Sequence, residues 1–428
     1  MTAPATVAIT GPTGTTDTTG PTDTTGTTDT TSTTSTTSTT GMTATTGPTS
    51  TTDMVDVDQF LALAQDWLTD NNEGAPPDYG AICPPDMIDR ALAWQRLLFA
   101  EGWAGIDWPV AYGGRGLTPE HRAAWVRACA MAGVPPFLNM VGTVLAGGST
   151  LLFGTDGQKK EHLRAIVSAE HTWCQLFSEP GAGSDLAGLS TKAELDGDEY
   201  VITGQKVWCS GARYSDRGIL LARTDSSAAK HRGISFFLFD MTRPGVEIRP
   251  LKQMTGEAEF DEVFLDEVRI PTSSLLGPVH GGWGVAMATL TNERGSIGSA
   301  AIGLTRRMDA LRQTLRREAE AGGGVDDVTR DSLVRVLMEG RALTMLGTRQ
   351  GPIASTAASL GKLGITELMF ATALARVGLA GANAMLDTND AARSLLAAPG
   401  GRIAGGTSQI QRNLIGERLL GLPAEPRP

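Results

Sequence analysis

The spacing of apolar residues predicts helices at both ends of the chain after residue 53. From Asp58 to about Glu170, apolar residues recur every three or four positions, which is typical of one helix face. The first such set is Phe60, Leu61, Leu63, Ala64, Trp67 and Leu68. The segment Thr118-Pro119-Glu120 predicts a capped helix start with proline at the first helical position.

Between about His171 and Gly284 the pattern becomes that of β-strands. Short β-rich runs, separated by Gly, Asp, Pro and Ser, are Leu189 to Leu195, Tyr200 to Thr203, Gly218 to Arg223, Ile234 to Phe239 and Val263 to Val268. They predict an antiparallel β-barrel or sandwich. The helical period then returns after Gly281-Gly-Trp-Gly284 and continues to about Leu420. We therefore predict an α+β multi-domain fold, with a helical domain at 54–170, a β-domain at 171–284 and a helical domain at 285–428.

Residues 1–53 differ in composition from the rest of the chain. About half of them are threonine, and most others are Gly, Pro, Ser or Asp. Such a segment cannot bury enough apolar surface to offset its chain entropy, so we expect it to be disordered. A second interpretation is that translation starts downstream, at Met42 or Met54.

Charge and cysteine content argue against several classes of function. The net charge of −11 disfavours nucleic acid and anionic membrane surfaces as partners. The four cysteines, Cys83, Cys129, Cys174 and Cys209, form no C-x-x-C and no metal-like group with histidines, so we expect a reducing cytoplasm and no metal site. The sequence has no run of eighteen apolar residues and no basic side chain before Arg90, which predicts neither a membrane span nor a secretory signal.

Two segments of the β-region carry candidate ligand-binding chemistry. Phe177-Ser-Glu-Pro-Gly-Ala-Gly183-Ser184-Asp185 is a glycine turn whose backbone can approach a ligand closely, with the Ser178 and Ser184 hydroxyls as donors. Gly204-Gln-Lys-Val-Trp208-Cys-Ser210 provides a flat apolar ring and, two residues later, a hydroxyl. Both together predict a flavin-binding segment. Taken singly, each is more often an ordinary turn or a packing tryptophan.

In this order and spacing, the two segments resemble the acyl-CoA dehydrogenase family, and the resemblance covers nearly all of residues 54–423. Trp108-Pro-Val-Ala-Tyr-Gly-Gly-Arg-Gly-Leu117 resembles the family's first-domain signature. Lys252-Gln-Met-Thr-Gly-Glu257 and Gly405-Gly-Thr-Ser-Gln-Ile-Gln-Arg412 resemble its later blocks. The resemblance implies a C-terminal four-helix bundle and FAD as the cofactor.

The resemblance also implies roles for single residues. Those expected to contact FAD are Phe177, Ser178, Gly183, Ser184, Trp208, Ser210, Thr407 and Gln409. Ser184 is also expected near the substrate, and Gly406 near the thioester carbonyl, which needs hydrogen-bond donors as the enolate develops. Thr407 and Gln409 equally fit the N-cap and first turn of a helix, and both roles can coexist.

Removal of two hydrogens from an acyl thioester requires a base for the α-proton. In much of the family this base is a Glu, and the matching position in this chain is Gly405. Glycine has no side chain that could take a proton. A subset of the family carries the Glu on the first long helix after the β-domain, where this chain has Glu293. Glu293 interrupts an apolar stripe formed by Ala286, Leu290, Ile297, Ala301 and Leu304.

We therefore predict Glu293 as the catalytic base. The alternative is that Glu293 lies at the rim of the stripe and pairs with an arginine. Its neighbour Arg294 matches a substrate-side arginine of the family, or is a structural partner for a carboxylate.

Two segments depart from the family pattern. The Arg-x-x-Phe-Gly segment is replaced at 315–324, and the Gln-x-x-Gly-Gly segment is not recognisable at 376–382. Both normally act across a subunit interface, so we expect either a homo-oligomer or a hetero-oligomer with a second acyl-CoA dehydrogenase-like subunit. The predicted reaction converts a saturated acyl-CoA to the trans-2-enoyl-CoA and passes electrons to electron-transfer flavoprotein. The alternatives are a non-catalytic or partner-dependent subunit, or a flavin oxidase on the same fold.

Overall fold

The computed structural model describes residues 55–80, 82–295, 325–347, 354–386 and 390–424, with short pieces between 304 and 320. These residues belong to the unit that spans Met54–Pro428. The expected disorder of residues 1–53 concerns residues outside this described part.

The N-terminal region is helical, as predicted. Its helices are α1 (Val57–Asn71), α2 (Ile88–Ala100), α3 (Pro119–Ala132), α4 (Gly147–Phe153) and α5 (Asp156–Val167), with a π-helical turn at Val141–Ala146. Tryptophan rings fill the space between α1, α2 and α3, and Trp103 stacks on Trp125 with ring centroids 4.9 Å apart. Helix α3 begins at Pro119 as predicted, but the Thr118 hydroxyl pairs with Nδ1 of His121 at 2.9 Å instead of capping the helix.

The segment 108–117, which resembles the first-domain signature of the family, is a packing element. A side chain at Gly114 would overlap the Trp108 carbonyl, and one at Gly147 would overlap the Trp108 indole. The two glycines therefore allow α4 and the loop to close around one buried ring.

The central region is one seven-stranded sheet, between the two helical regions as predicted. Its strands are β1 (Trp173–Leu176), β2 (Lys192–Asp196), β3 (Glu199–Ser210), β4 (Arg217–Arg223), β5 (Ile234–Asp240), β6 (Val246–Leu251) and β7 (Phe260–Pro271). The strand order is β1-β4-β2-β3-β7-β6, and β5 pairs with β4. The pairing is mainly antiparallel, but β1–β4 and β2–β4 are parallel, which differs from the purely antiparallel prediction.

Two strands were not among the predicted ones. Strand β1 has only four residues, and β6 carries Glu247, Arg249 and Pro250 with its side chains exposed or half-buried. Strand β1 is too short to show a period, and the alternation of apolar and charged residues in β6 lasts only four positions before Pro250 interrupts it.

The C-terminal region is helical, as predicted. The described helices are α6 (Gly282–Gly295), α7 (Asp327–Gly347), α8 (Ala354–Ala380), α9 (Asp390–Ile403) and α10 (Ser408–Leu414), and a π-helical turn follows at Ile415–Leu419. The core of this region contains Leu333, Val336 and Leu368 from α7 and α8, together with Leu304, Met308 and Leu311 from the described pieces between 304 and 320.

Side-chain hydrogen bonds attach the N-terminal helices to the two other regions. The Gln158 amide on α5 donates to the carbonyls of Ser273 and Leu275 after β7, at 2.8 and 2.9 Å. On α4, the buried Ser149 hydroxyl pairs with that of Thr289 on α6 at 2.6 Å. Helix α6 is therefore fixed in position one turn before Glu293.

Within the described ranges, one segment, Ala358–Met385, is long and apolar enough to cross a membrane by length and composition. An 18-residue window within it has a mean hydropathy of 1.4, and 11% of that window is buried. The segment includes Lys362, Glu367 and Arg376, so the sequence has no unbroken apolar run there. A single helix of this kind is weak evidence for a membrane span. The low burial of the segment means that α8 has an apolar surface.

Candidate active site

The turn after β1 is closed by its own backbone. Glu179 and Ala182 exchange two amide-to-carbonyl hydrogen bonds at 3.1 and 3.0 Å, and Pro180 and Gly181 occupy the corner. Phe177 is buried at the base of the turn and meets the Phe236 ring edge to face, with centroids 5.7 Å apart. Gly183 and Ser184 are exposed at the outer side of the turn.

The two glycines of this turn are not required by its backbone conformation. Neither Gly181 nor Gly183 is among the residues with positive φ. Among the residues that the structure describes, no atom lies within 4 Å of a Cβ added to either of them. The space outside the turn is therefore open, and a ligand can approach the backbone closely only while both positions lack a side chain.

Trp208 has a strained backbone and an exposed ring. Its φ is +61°, in the left-handed region that a tryptophan rarely adopts. The pairing of β3 with β7 is interrupted between Lys206 and Cys209, so Trp208 lies in a β-bulge. Its side chain is 56% exposed and meets only the edge of Phe260 among the described aromatic rings, at 5.8 Å. Strain combined with exposure of a large apolar side chain is typical of a functional site.

The structure brings the two predicted flavin segments together. The Val207 amide donates to the Ser178 carbonyl at 2.9 Å, and the Lys206 ammonium donates to the Phe177 carbonyl at 3.1 Å. Ser178 and Ser210 are half-buried. The turn and the Trp208 bulge therefore form one continuous surface.

A buried ion pair that the sequence analysis did not identify holds this surface together. Glu179 and Lys206 are 2.8 Å apart, with side chains 4% and 0% exposed. The carboxylate also accepts from the Ser190 amide and hydroxyl, both at 2.7 Å, and from the Thr191 amide at 2.9 Å. The sequence did contain a signal for this pair, because the charged residues of the first motif segment are acidic and the one charged residue of the second is basic. Buried charges need partners, so Glu179 and Lys206 could have been expected to pair.

These contacts keep Glu179 ionised. Burial alone would raise the pKa of this carboxyl group, but the charge of Lys206 and the hydrogen bonds from Lys206, Thr191 and Ser190 outweigh burial and lower the pKa to about 2.

The C-terminal loop forms a second cluster. Gly405 and Gly406 have φ of +64° and +93°, and their carbonyls accept from Gln411 at 3.0 Å and from Lys362 at 2.6 Å. Thr407 is the N-cap of α10, and its hydroxyl oxygen accepts from the Ile410 amide at 3.2 Å. The N-cap interpretation of Thr407 is therefore correct. Gln409 is exposed in the first turn of α10.

Glu367 is a carboxylate near this loop, but it is already paired. It accepts from the Ser408 hydroxyl at 2.8 Å and lies 2.7 Å from the Arg402 guanidinium. Burial acts to raise the pKa of Glu367, and the bonds from Ser408 and Arg402 outweigh it and lower the pKa. A base of lowered pKa is poorly suited to removing a carbon-bound proton.

Helix α9 contacts the β-domain close to Trp208. Arg393 forms an ion pair with Glu257 in the 252–257 segment, which folds as a turn between β6 and β7. Three residues later, Phe260 begins β7 and contacts Trp208. This connection brings the C-terminal region to the edge of the two predicted flavin segments.

Glu293 and Arg294 belong to α6, but their side chains lie outside the described residues. The preceding turns are described: Ala286 and Thr289 are buried, and Leu290 is half-buried.

Comparison with known proteins identifies the fold that carries this site. Family models match residues 84–170 as "Acyl-CoA dehydrogenase, N-terminal domain", 174–268 as the middle domain and 280–420 as the C-terminal domain. The acyl-CoA dehydrogenase IpdE1 of Mycobacterium tuberculosis is 38% identical over 391 residues, which are 87% of this chain and all of that protein. The chain therefore belongs to the acyl-CoA dehydrogenase family, whose members are oxidoreductases that bind FAD, as predicted.

Solved structures agree with this assignment. A variant of the "Tcur3481-Tcur3483 steroid ACAD" has a TM-score of 0.72 and 26% identity, and the match covers 85% of this chain and 99% of that one. The ChsE4–ChsE5 complex from Mycobacterium tuberculosis has a TM-score of 0.72 and 25% identity, and the match covers 88% and 100% of the two chains.

The strain at Trp208 predicts an unusual order of stabilities. Glycine tolerates positive φ, whereas alanine pays about 1 kcal/mol there, so Trp208→Gly should be more stable than Trp208→Ala in urea unfolding of the flavin-free protein. Val207, whose φ is not positive, provides the control: Val207→Ala should be more stable than Val207→Gly. The same order at both positions would contradict strain at Trp208.

The buried pair predicts a pH-dependent effect of Glu179→Gln. Because the folded pKa is about 2 and the unfolded value is about 4.3, the ionised carboxyl stabilises the fold above about pH 4.3 and loses this effect as the pH falls towards 2. Urea unfolding from pH 7 to 3 should therefore show a stability gap between wild type and variant that narrows below about pH 4.5. Glu194→Gln, at an exposed position of β2, should show no such gap. A gap that is constant with pH would refute the assigned ionisation.

Proposed function

We propose that the chain catalyses the α,β-dehydrogenation of a saturated acyl-CoA to the trans-2-enoyl-CoA, with Glu293 as the base. The observation that carries this proposal is the position of Glu293 on α6. It follows Thr289 by four residues and Ala286 by seven, so it lies on the helix face that is buried one and two turns earlier. The position used elsewhere in the family is occupied by Gly405, and Glu367 is engaged by Arg402.

The surface around Trp208 fits the isoalloxazine and the phosphate-bearing chain of FAD. Its residues provide an exposed ring, an open glycine turn at Gly181 and Gly183, and the hydroxyls of Ser178, Ser184 and Ser210. When bound, FAD accepts the β-hydrogen as hydride. Trp208 would stack on the flavin ring, while the buried Phe177 supports the turn from below.

The C-terminal loop is proposed to contribute further contacts. Thr407 accepts one backbone hydrogen bond as N-cap, and its own hydroxyl proton is still available to the cofactor beside Gln409. Gly406, whose carbonyl is held by Lys362, would direct its amide at the thioester carbonyl. Arg294 would lie on the substrate side of the base.

We further propose that the acyl group is bulky and ring-bearing and that the chain works beside an unlike subunit of the same family. Support comes from the names of the two structural relatives, a steroid acyl-CoA dehydrogenase and a two-protein complex. Within this chain, the C-terminal helices expose large apolar side chains, among them Met338 on α7 and Leu396 and Ile403 on α9. A soluble electron-transfer flavoprotein would receive the electrons.

The assignment of the base predicts the effect of Glu293→Gln. Anaerobic bleaching of the bound flavin by a panel of saturated acyl-CoAs, including steroid-derived thioesters, should slow by about 10²- to 10⁴-fold, while the visible spectrum of the flavin is kept. Glu293→Asp should lose less, and Glu101→Gln, at an exposed position beyond α2, should react normally. Near-normal bleaching by Glu293→Gln would refute the assignment, and a wild-type flavin that no acyl-CoA bleaches would favour the non-catalytic subunit.

The proposed assembly is tested by co-expression with acyl-CoA dehydrogenase-like proteins of the same organism. We expect one of them to co-purify and the flavin content per chain to rise relative to the chain alone. Met338→Glu should reduce co-purification, because a charge would be buried at the apolar surface, whereas Leu63→Glu on the exposed face of α1 should not. A homo-oligomer with one flavin per chain and full turnover would contradict this proposal.

A further inference from the structure

Glu179 and Lys206 connect three separate pieces of backbone. Lys206 lies on β3 and donates to both Glu179 and the Phe177 carbonyl, while Glu179 also accepts from the segment that precedes β2. The four hydrogen bonds to Glu179 involve both carboxylate oxygens. The pair therefore fixes the turn relative to β3 at a single distance and direction.

Stability alone does not explain such a pair. Taking two charges out of water costs several kcal/mol per ion, and apolar side chains of similar volume often stabilise a fold equally well or better. What an ion pair adds is a defined register, because its hydrogen bonds form in one geometry only.

The register matters most two residues after Lys206. A non-glycine residue in the left-handed region costs about 1–3 kcal/mol and persists only where its surroundings enforce it. The backbone conformation of Trp208 is fixed from both sides. Lys206 is held by Glu179 before the bulge, and Cys209 pairs with Asp261 of β7 after it. Without the bulge, the strand could relax to regular alternation, which would redirect the side chain of Trp208.

We propose that the Glu179–Lys206 pair is a positioning device that holds Trp208 in its strained conformation, with the indole presented to the flavin. This inference rests on the proposed function, in which Trp208 stacks on FAD. Neither side chain of the pair needs to touch the cofactor, because the device acts through the backbone of β3 and of the turn.

The test uses the fluorescence of bound FAD, since a stacked indole quenches a flavin. The full-length holoprotein, with its partner subunit where one is required, is compared with Trp208→Ala, Lys206→Met and the double variant Trp208→Ala/Lys206→Met. We expect Trp208→Ala and Lys206→Met each to raise the fluorescence of bound flavin several-fold and to weaken FAD binding about tenfold. The double variant should be no brighter than Trp208→Ala alone, because both changes remove the same contact.

A neutral pair separates positioning from stability. Glu179→Met/Lys206→Met should recover most of the urea stability lost in Lys206→Met, yet keep the bright flavin. The control Gln95→Met removes two buried hydrogen bonds in the N-terminal region, to Val167 and from Leu138, and should lower stability while the flavin stays quenched.

Each other result has a defined meaning. A quenched flavin in the neutral pair would overturn the positioning role and leave the proposed function intact. A flavin that stays quenched in Trp208→Ala would show that Trp208 does not contact it, which overturns both the inference and the stacking contact of the proposed function.

Discussion

The arrangement of the candidate site depends on the requirement that a buried carboxylate be surrounded by hydrogen-bond donors. Glu179 meets this requirement with groups from two places in the chain: Ser190 and Thr191, which precede β2, and Lys206, which lies on β3. Once these donors are in place, the turn that begins at Phe177 lies against β3. The surface formed by the turn and the Trp208 bulge is therefore a consequence of a desolvated charge as much as of local turn chemistry.

The helical regions have a different part in the site, since they fix the elements around that surface. Ser149 joins α4 to α6 through Thr289, and Gln158 joins α5 to the chain that leaves β7. In the C-terminal region, the Lys362 ammonium donates a hydrogen bond to the Gly406 carbonyl in the loop before α10. The proposed reaction needs a base on α6, a flavin-binding surface on the β-domain and a thioester-binding loop before α10. Hydrogen bonds of this kind hold these three parts of the chain in fixed positions.

Much of the fold was predictable because its signals are local. Apolar spacing predicted helices before residue 170 and after residue 284, and β-rich runs predicted strands such as β4 and β5. The parallel pairing of β1 with β4 was not predictable, because pairing between distant segments leaves no local pattern. Strand β6 was missed because its apolar alternation is short and is interrupted by Pro250.

In the site, the sequence identified the turn at 177–185 and the segment at 204–210, which the hydrogen bond from Val207 to Ser178 joins, while their contact with a flavin stays a prediction. The left-handed backbone of Trp208 and the Glu179–Lys206 pair required coordinates, since both arise from contacts between strands. The interpretation of Thr407 as an N-cap was within reach of the sequence, because the cap forms within four residues.

The open space outside Gly181 and Gly183 makes it possible to distinguish selection for folding from selection for ligand binding at these two positions. Neither glycine has positive φ, and neither is pressed against any of the residues that the structure describes. Alanine at these positions therefore conflicts with no described part of the chain, and a survey of variants for expression or folding alone would accept it. Only a survey that measures ligand binding at the turn would reject alanine. The difference between the two surveys would therefore map the outline of the bound molecule.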